Sequence, residues 1–236
     1  MLESILTHFE EIKARGLSID ITRGKPDSYQ LDLSNELLKM DVEPFDGDVD
    51  LNDCELTELP LTFNKVTGTF NCDDNKLTTL KGCPKSIGGN FNCSFNKLTS
   101  LEGSPKSVGG IFTCDGNKLT SLEGSPNRID FDFDCGYNNL TSLEGSPESV
   151  GGNFYCFNNN LTSLEGSPKS IGGKFYCRNN PIESIFNYVD IDFIKAFKSF
   201  KVLNNGVIDL KRLKYLMSTF NKPIDLESIK KYYTIK

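Results

Sequence analysis

A cysteine recurs every 21 residues through the middle of this chain, at Cys72, Cys93, Cys114, Cys135, Cys156 and Cys177. Two places before each stands a phenylalanine (Phe70, Phe91, Phe112, Phe133, Phe154 and Phe175), and three places after each an asparagine (Asn75, Asn96, Asn117, Asn138, Asn159 and Asn180). Leu77, Leu98, Leu119, Leu140, Leu161 and Ile182 follow two places later. A period held through six units without insertion marks a solenoid, in which each unit buries its apolar strip against its neighbours. The F-x-C pattern puts two apolar side chains on one side of an extended segment, which predicts a short strand buried on one face. The asparagine is placed to satisfy backbone groups where the chain leaves the sheet, and Leu-x-x-Leu, for example Leu98 and Leu101, fills the core behind it. Pro105 and its equivalents end that return, and Val108 packs ahead of Gly109-Gly110. Val49, Leu51, Cys54 and Leu56 read as a degenerate first unit, in the places of Phe70, Cys72, Asn75 and Leu77.

This organisation divides the 236 residues into an N-terminal cap (1–44), the repeats (45–186) and a C-terminal cap (187–236). A hydrophobic content of 37% is low for a globule but suits a solenoid, whose core is a narrow strip. In the leader, Leu2, Ile5, Leu6, Phe9 and Ile12 share a helical face over residues 2–15, with Gly16 as the stop. Leu17, Ile19 and Ile21 alternate as an extended run, Gly24 to Pro26 form a turn, and Ser34 caps a short helix to Met40. After the repeats, Phe193, Ile194, Phe197 and Phe200 share one helical face, and Asn204-Asn205-Gly206 is a turn. A second helix is expected from Asp209 to Phe220, and a last segment after Pro223 carries Leu226, Ile229, Tyr232 and Tyr233. The open end of a solenoid exposes apolar core and strand edge, so a helical cap is what stability demands there.

The order x-F-x-C-x-x-N-x-L-x-x-L resembles that of leucine-rich repeats, with Phe and Cys in place of two strand leucines. The 21-residue unit is similar to the short bacterial class, and the wording LTSLEGSP-K-S-V/I-GG resembles repeat proteins of bacteriophages and some bacteria. This resemblance implies an α/β repeat solenoid: a leucine-rich-repeat horseshoe with short parallel strands on its concave face, a mixed N-terminal cap and an α-helical C-terminal cap. A different resemblance sits in the leader. GLSIDITRGKPDSYQLDLSNELL, Gly16 to Leu38, is similar to the N-terminal segment of a subgroup of class I/II aminotransferases. It implies a pyridoxal-phosphate-linked function only if the large cofactor fold and its downstream lysine follow, and the repeats leave no room for them. No catalytic residue is carried over.

The distribution of chemistry argues against catalysis. The lone histidine, His8, lies in the leader, so no Ser/His/Asp or Cys/His constellation can be assembled in the body. Cysteines spaced by 21 residues stack in a row rather than around a tetrahedral metal, and without a neighbouring base they are inert. The glycine pairs Gly88-Gly89, Gly109-Gly110, Gly151-Gly152 and Gly172-Gly173 precede strands, not helices, which is the wrong setting for a phosphate loop. Glu102, Glu123, Glu144 and Glu165 offer one carboxylate per coil, too few for calcium. The expectation is therefore a non-enzyme with no cofactor, no metal and no small-molecule substrate. A net charge of −6 without a basic stripe in the repeats argues against nucleic acid, although residues 182–236 carry 10 basic and 6 acidic side chains. No run is long enough for a membrane span or a signal peptide, and interior cysteines behave as small hydrophobes, so reduced thiols and a cytoplasmic location are expected, that of the host cell for a phage-encoded chain.

What remains is binding. The outward strand positions shift in character along the chain. Phe95, Asp115, Asp132, Asp134 and Tyr137 make an acidic and aromatic middle, and Tyr155, Phe157, Lys174, Tyr176 and Arg178 follow it. Tyr and Arg are enriched at interface hot spots. These ten residues are the expected contact set for a protein partner, with Tyr155, Phe157, Tyr176 and Arg178 as anchors. Phe131, which replaces a glycine beside Asp130, is a separate edge candidate. A structural or virion-assembly role, with the basic C-terminal piece docked on an acidic neighbour, is the alternative.

Overall fold

The computed structural model describes residues 41–236 except 43, 60, 61 and 186–190. The elements expected between residues 2 and 40 lie outside the described residues.

Each F-x-C motif forms a two-residue strand, and the strands stack in register. Val49–Asp50, Phe70–Asn71, Phe91–Asn92, Phe112–Thr113, Phe133–Asp134, Phe154–Tyr155 and Phe175–Tyr176 make one seven-stranded parallel sheet. The degenerate first unit is its edge strand, with Val49 opposite Phe70 and both Val49 and Leu51 buried. A second strand in each coil was not legible in the sequence. Lys65–Val66, Ser86–Ile87 and Ser107–Val108 form one three-stranded parallel sheet, and Arg128–Ile129, Ser149–Val150 and Ser170–Ile171 form another. The coils are thus β-solenoid turns, with two short strands each. Among the described residues, helices occur only from Pro181 onwards.

Three ladders run through the interior. The phenylalanine rings from Phe91 to Phe175 follow one another at centroid distances of 5.0 to 5.5 Å. Behind them the periodic cysteines are buried, and all eight cysteines are free thiols. Burial pushes Cys114, Cys135 and Cys156 well above the usual thiol range, and Cys177 up to about 12. The asparagines supply the third ladder. Asn138 Nδ2 donates to the carbonyls of Cys114, Cys135 and Gly136 at 3.1, 3.2 and 3.0 Å, while its Oδ1 accepts from the Leu119 N–H at 2.9 Å. A single amide therefore satisfies four buried backbone groups across two coils, and this is why asparagine recurs there.

The stack has one seam. At Gly109, Gly151 and Gly172 a Cβ would stand 2.2, 2.1 and 2.1 Å from a carbonyl oxygen of the preceding coil. Asp130 occupies that place in the Cys135 coil and carries the Cβ the others lack. The chain must stand off there, and the second sheet accordingly breaks between Ser107–Val108 and Arg128–Ile129. Gly109 and Gly151 each donate to the coil before them at 2.9 Å; among the described residues Asp130 makes no such bond.

The C-terminal unit is mixed rather than purely helical. It holds helices α1 (Ile191–Ser199), α2 (Leu210–Thr219) and α3 (Leu226–Lys230) around a three-stranded sheet of Leu203–Asn204, Val207–Ile208 and Thr234–Ile235. Phe193, Ile194 and Phe197 of α1 are buried, and Asp209 caps α2 by accepting from the Arg212 N–H at 3.0 Å. Its core is continuous with that of the coils. Tyr233 joins the two directly, its hydroxyl donating to the Thr162 carbonyl at 2.9 Å.

Candidate functional site

The alternation that buries Phe and Cys turns the residues between and beside them outward. Strand register then sorts the expected contact residues into four parallel rows on one face. Asp134, Tyr155 and Tyr176 share the mid-strand row with Asp50, Asn71, Asn92 and Thr113. Asp115, Phe157 and Arg178 share the row after the cysteine; Phe95 and Tyr137 stand in the next; Asp132 and Lys174 lie on the other side of the strand. All ten residues are at least partly exposed. Phe131, 55% exposed, directly precedes Asp132 and lies at the seam.

The face changes along the stack. In its early coils polar side chains satisfy one another: Asn71 Nδ2 donates to Asp50 Oδ1 at 3.1 Å, and Thr113 Oγ1 to Asn92 Oδ1 at 3.0 Å. In its late coils rings take over. Tyr155 and Tyr176 stack at 4.9 Å with planes 3° apart, Tyr137 meets Phe157 edge-on at 5.4 Å, and Tyr155 meets Phe157 at 6.2 Å. The Arg178 guanidinium lies 5.5 Å from the Phe157 ring centre, a cation–π contact.

Between these regions stand three carboxylates. Asp132 accepts from the Asn153 N–H at 2.6 Å, and Asp134 Oδ1 from the Gly136 N–H at 2.8 Å. Burial pushes the Asp134 carboxyl up to about 6, against the Gly136 hydrogen bond, and the charges of Asp115 and Asp132 push the same way. Burial also raises the Tyr155 phenol, and Asp132, Tyr176 and Asp134 push the same way.

Two features of the face escaped the sequence reading. Gly136, in the row of Asp115 and Phe157, is buried beneath the Phe157 ring: a Cβ there would be 2.9 Å from that ring and 3.1 Å from Asp134 Oδ1. Reading the rows down the repeat alignment, where this glycine faces a run of larger residues, could have found it. Ser94, in the same row as Asp115, is buried, and its hydroxyl has no partner among the described residues.

Beyond the face, no helix among the described residues is long and apolar enough to cross a membrane. No solved structure matches the chain. A family model for aspartate amino-transferase matches residues 1–59. An aspartate aminotransferase of Corynebacterium glutamicum is 50% identical over 38 residues, which are 16% of this chain and 9% of that enzyme. The family match runs past the Gly16–Leu38 segment and through Val49–Asp50, so the edge strand of the seven-stranded sheet lies inside the matched residues.

Proposed function

We propose that this chain is a non-catalytic protein-binding module of the leucine-rich-repeat type, with the seven-stranded sheet on the concave side of a horseshoe and the ends closed by caps. The observation that carries the reading is the ring cluster of Tyr137, Tyr155, Phe157 and Tyr176 with Arg178 across it, on a face whose earlier rows are small and polar. A sheet needing only cross-strand support has no use for Arg178 laid on an aromatic face. A stack of hydrogen-bonded coils holds these side chains in place before a partner arrives, which lowers the ordering cost of association.

The aminotransferase match raises a second reading, a pyridoxal-phosphate-linked role. The described residues do not fit that group: the coil interior is filled by Phe, Cys and Leu, with no lysine buried in it.

The test is capture from a lysate of the source cell with the full chain and with a Tyr155→Ala/Tyr176→Ala/Arg178→Ala variant, circular dichroism establishing that both are folded. A partner held by the first and lost by the second is expected. A partner held equally by both moves the site to Phe131 or the basic C-terminal unit, and no partner at all favours a structural or assembly role.

A further inference from the structure

The outward rows of the last three coils carry charge in a fixed order. Register sets Asp132, Asn153 and Lys174 in one row, one coil apart. That row is held by its own hydrogen bonds: Asp132 Oδ1 accepts from the Asn153 N–H at 2.6 Å, and Asn153 Oδ1 from the Lys174 N–H at 2.9 Å. Across the face, the Phe133 coil presents Asp132 and Asp134, the Phe154 coil Asn153, Tyr155 and Phe157, and the Phe175 coil Lys174, Tyr176 and Arg178. The order is therefore negative, then uncharged and aromatic, then positive. Hydrogen bonds on both flanks of the sheet keep these coils evenly spaced, so their rows lie level. On one flank Gly152 and Gly173 donate to the Phe131 and Gly152 carbonyls at 3.0 and 2.8 Å; on the other Asn160 and Ile182 donate to the Leu140 and Leu161 carbonyls, both at 2.8 Å.

An order of this kind is complementary to its own reversal. A two-fold axis along the Phe154–Tyr155 strand, in the plane between two facing copies, turns the stack end for end and leaves each row opposite itself. Lys174 of each copy then meets Asp132 of the other, Arg178 comes over the coil that holds Asp134, and Asn153 and Tyr155 meet their own counterparts at the axis. The alternative axis, along the stack, sets Lys174 against Arg178 of the second copy and is opposed by like charge. The first arrangement has an uncharged aromatic centre and charged groups at its rim, as stable contacts do. The same reversal directs the C-terminal unit, with 10 basic and 6 acidic side chains over residues 182–236, toward the second copy's earlier coils, whose outward rows hold Asp50, Asp73 and Asp115.

We propose that the partner this face fits is a second copy of this chain, the two stacks running antiparallel with Lys174 of each against Asp132 of the other across the ring band. This deepens the protein-binding reading of the same face and rests on it. A foreign protein would have to reproduce the charge order, whereas a copy of the chain carries it already. Tyr155 and Tyr176, stacked at 4.9 Å with planes 3° apart, enter the contact already ordered, which lowers the cost of association.

Sedimentation velocity of the full chain over a concentration series reads this directly, and a reversible dimer is expected. Asp132→Lys and Lys174→Asp should each weaken self-association roughly tenfold or more, because each sets like charges opposite one another on both sides of the axis. An equimolar mixture of the two variants restores both contacts and should associate as the unaltered chain does. Glu123→Lys, a charge reversal at an exposed position off the face, should leave association unchanged. A full chain that stays monomeric at every concentration overturns the proposal. So does a mixture that associates no better than either variant alone, when circular dichroism shows both variants folded. If the full chain is monomeric but a lysate partner is captured and then lost with the Tyr155→Ala/Tyr176→Ala/Arg178→Ala variant, the face binds another protein and the second copy is wrong. If self-association and lysate capture both survive that variant, the face itself is wrong.

Discussion

The ring of Phe95 lies over Gly116, its counterpart in the next coil, so closely that a Cβ on the glycine would be 2.6 Å from Phe95 Cδ1. Both residues are in the left-handed region, at φ 49° and 66°. The same place in other coils holds Asp74, Tyr137, Asn158 and Asn179, all at positive φ. Aspartate, asparagine and glycine adopt this conformation at little cost, whereas bulky aromatics resist it. Two coils therefore carry exposed rings where the backbone favours something smaller, both on the candidate face.

Replacing Tyr137 with asparagine, the residue used at φ 52° and 56° in the next two coils, should relieve that conflict. We expect thermal stability to hold or to rise by about 1 kcal/mol while partner capture weakens. A drop in stability instead, measured by thermal denaturation, would mean the ring is there for support against Phe157.

Asn138→Ala should be among the most damaging substitutions in the coils. It strands three carbonyls and one N–H that a single amide now satisfies. A loss of about 2–4 kcal/mol is expected in urea denaturation, since buried unpaired backbone groups retain their full desolvation cost. A loss below 1 kcal/mol (roughly the net value of one hydrogen bond) would show that water enters and replaces the amide.

The seam is open to repair. Asp130→Gly/Phe131→Gly restores the glycine pair of the other coils and lets the second sheet close across the break. Two inter-coil hydrogen bonds of the kind made by Gly151 and Gly152 become available, and a gain of about 1 kcal/mol is expected in thermal denaturation. No gain would indicate that the added flexibility of two glycines in the unfolded chain cancels it.

Asp134 gives a pH dependence whose sign is fixed by its environment. Its carboxyl is raised from 3.8 to about 6 on folding, so ionisation opposes the folded state. The penalty is absent below about pH 3.8, grows as pH rises, and is complete above about pH 6. The charges facing it are Asp115 and Asp132, with the Gly136 N–H as its hydrogen-bond donor. Asp134→Asn should therefore stabilise the chain at pH 7.5 by on the order of 1–2 kcal/mol and have little effect at pH 3.5. The difference between wild type and variant in denaturant midpoint at the two pH values checks it; an equal difference at both would remove Asp134 as its source.

The periodic residues carried most of the architecture because they are interior and repeated. Phe and Cys at fixed spacing announced the seven-stranded sheet, and the degenerate Val49 and Leu51 were already identifiable as its first strand. The second sheet was hidden because Ser-Val and Ser-Ile are too short to show an alternation. The strands of the C-terminal unit were hidden for a related reason: Leu203–Asn204 and Val207–Ile208 are two-residue strands flanking a turn, and the third strand, Thr234–Ile235, which pairs with Val207–Ile208, is distant in sequence. On the candidate face, the row positions of Tyr155, Tyr176 and Arg178 followed from register alone. The covering of Gly136 by the Phe157 ring and the burial of Ser94 depend on how neighbouring side chains lean, which no single coil encodes.

The break at Asp130 also bears on how the molecule comes apart. In a stack where each coil holds only its neighbours, resistance to opening is set interface by interface, and the weakest junction decides where a crack begins. Here that junction lies between the Cys114 and Cys135 coils, so the chain should part first into two blocks of unequal character: one polar, including the aminotransferase-like edge, the other aromatic and anchored by Tyr233. Amide exchange would then show two cooperative units with separate opening energies, and the surface richest in rings would remain intact on the block that opens last.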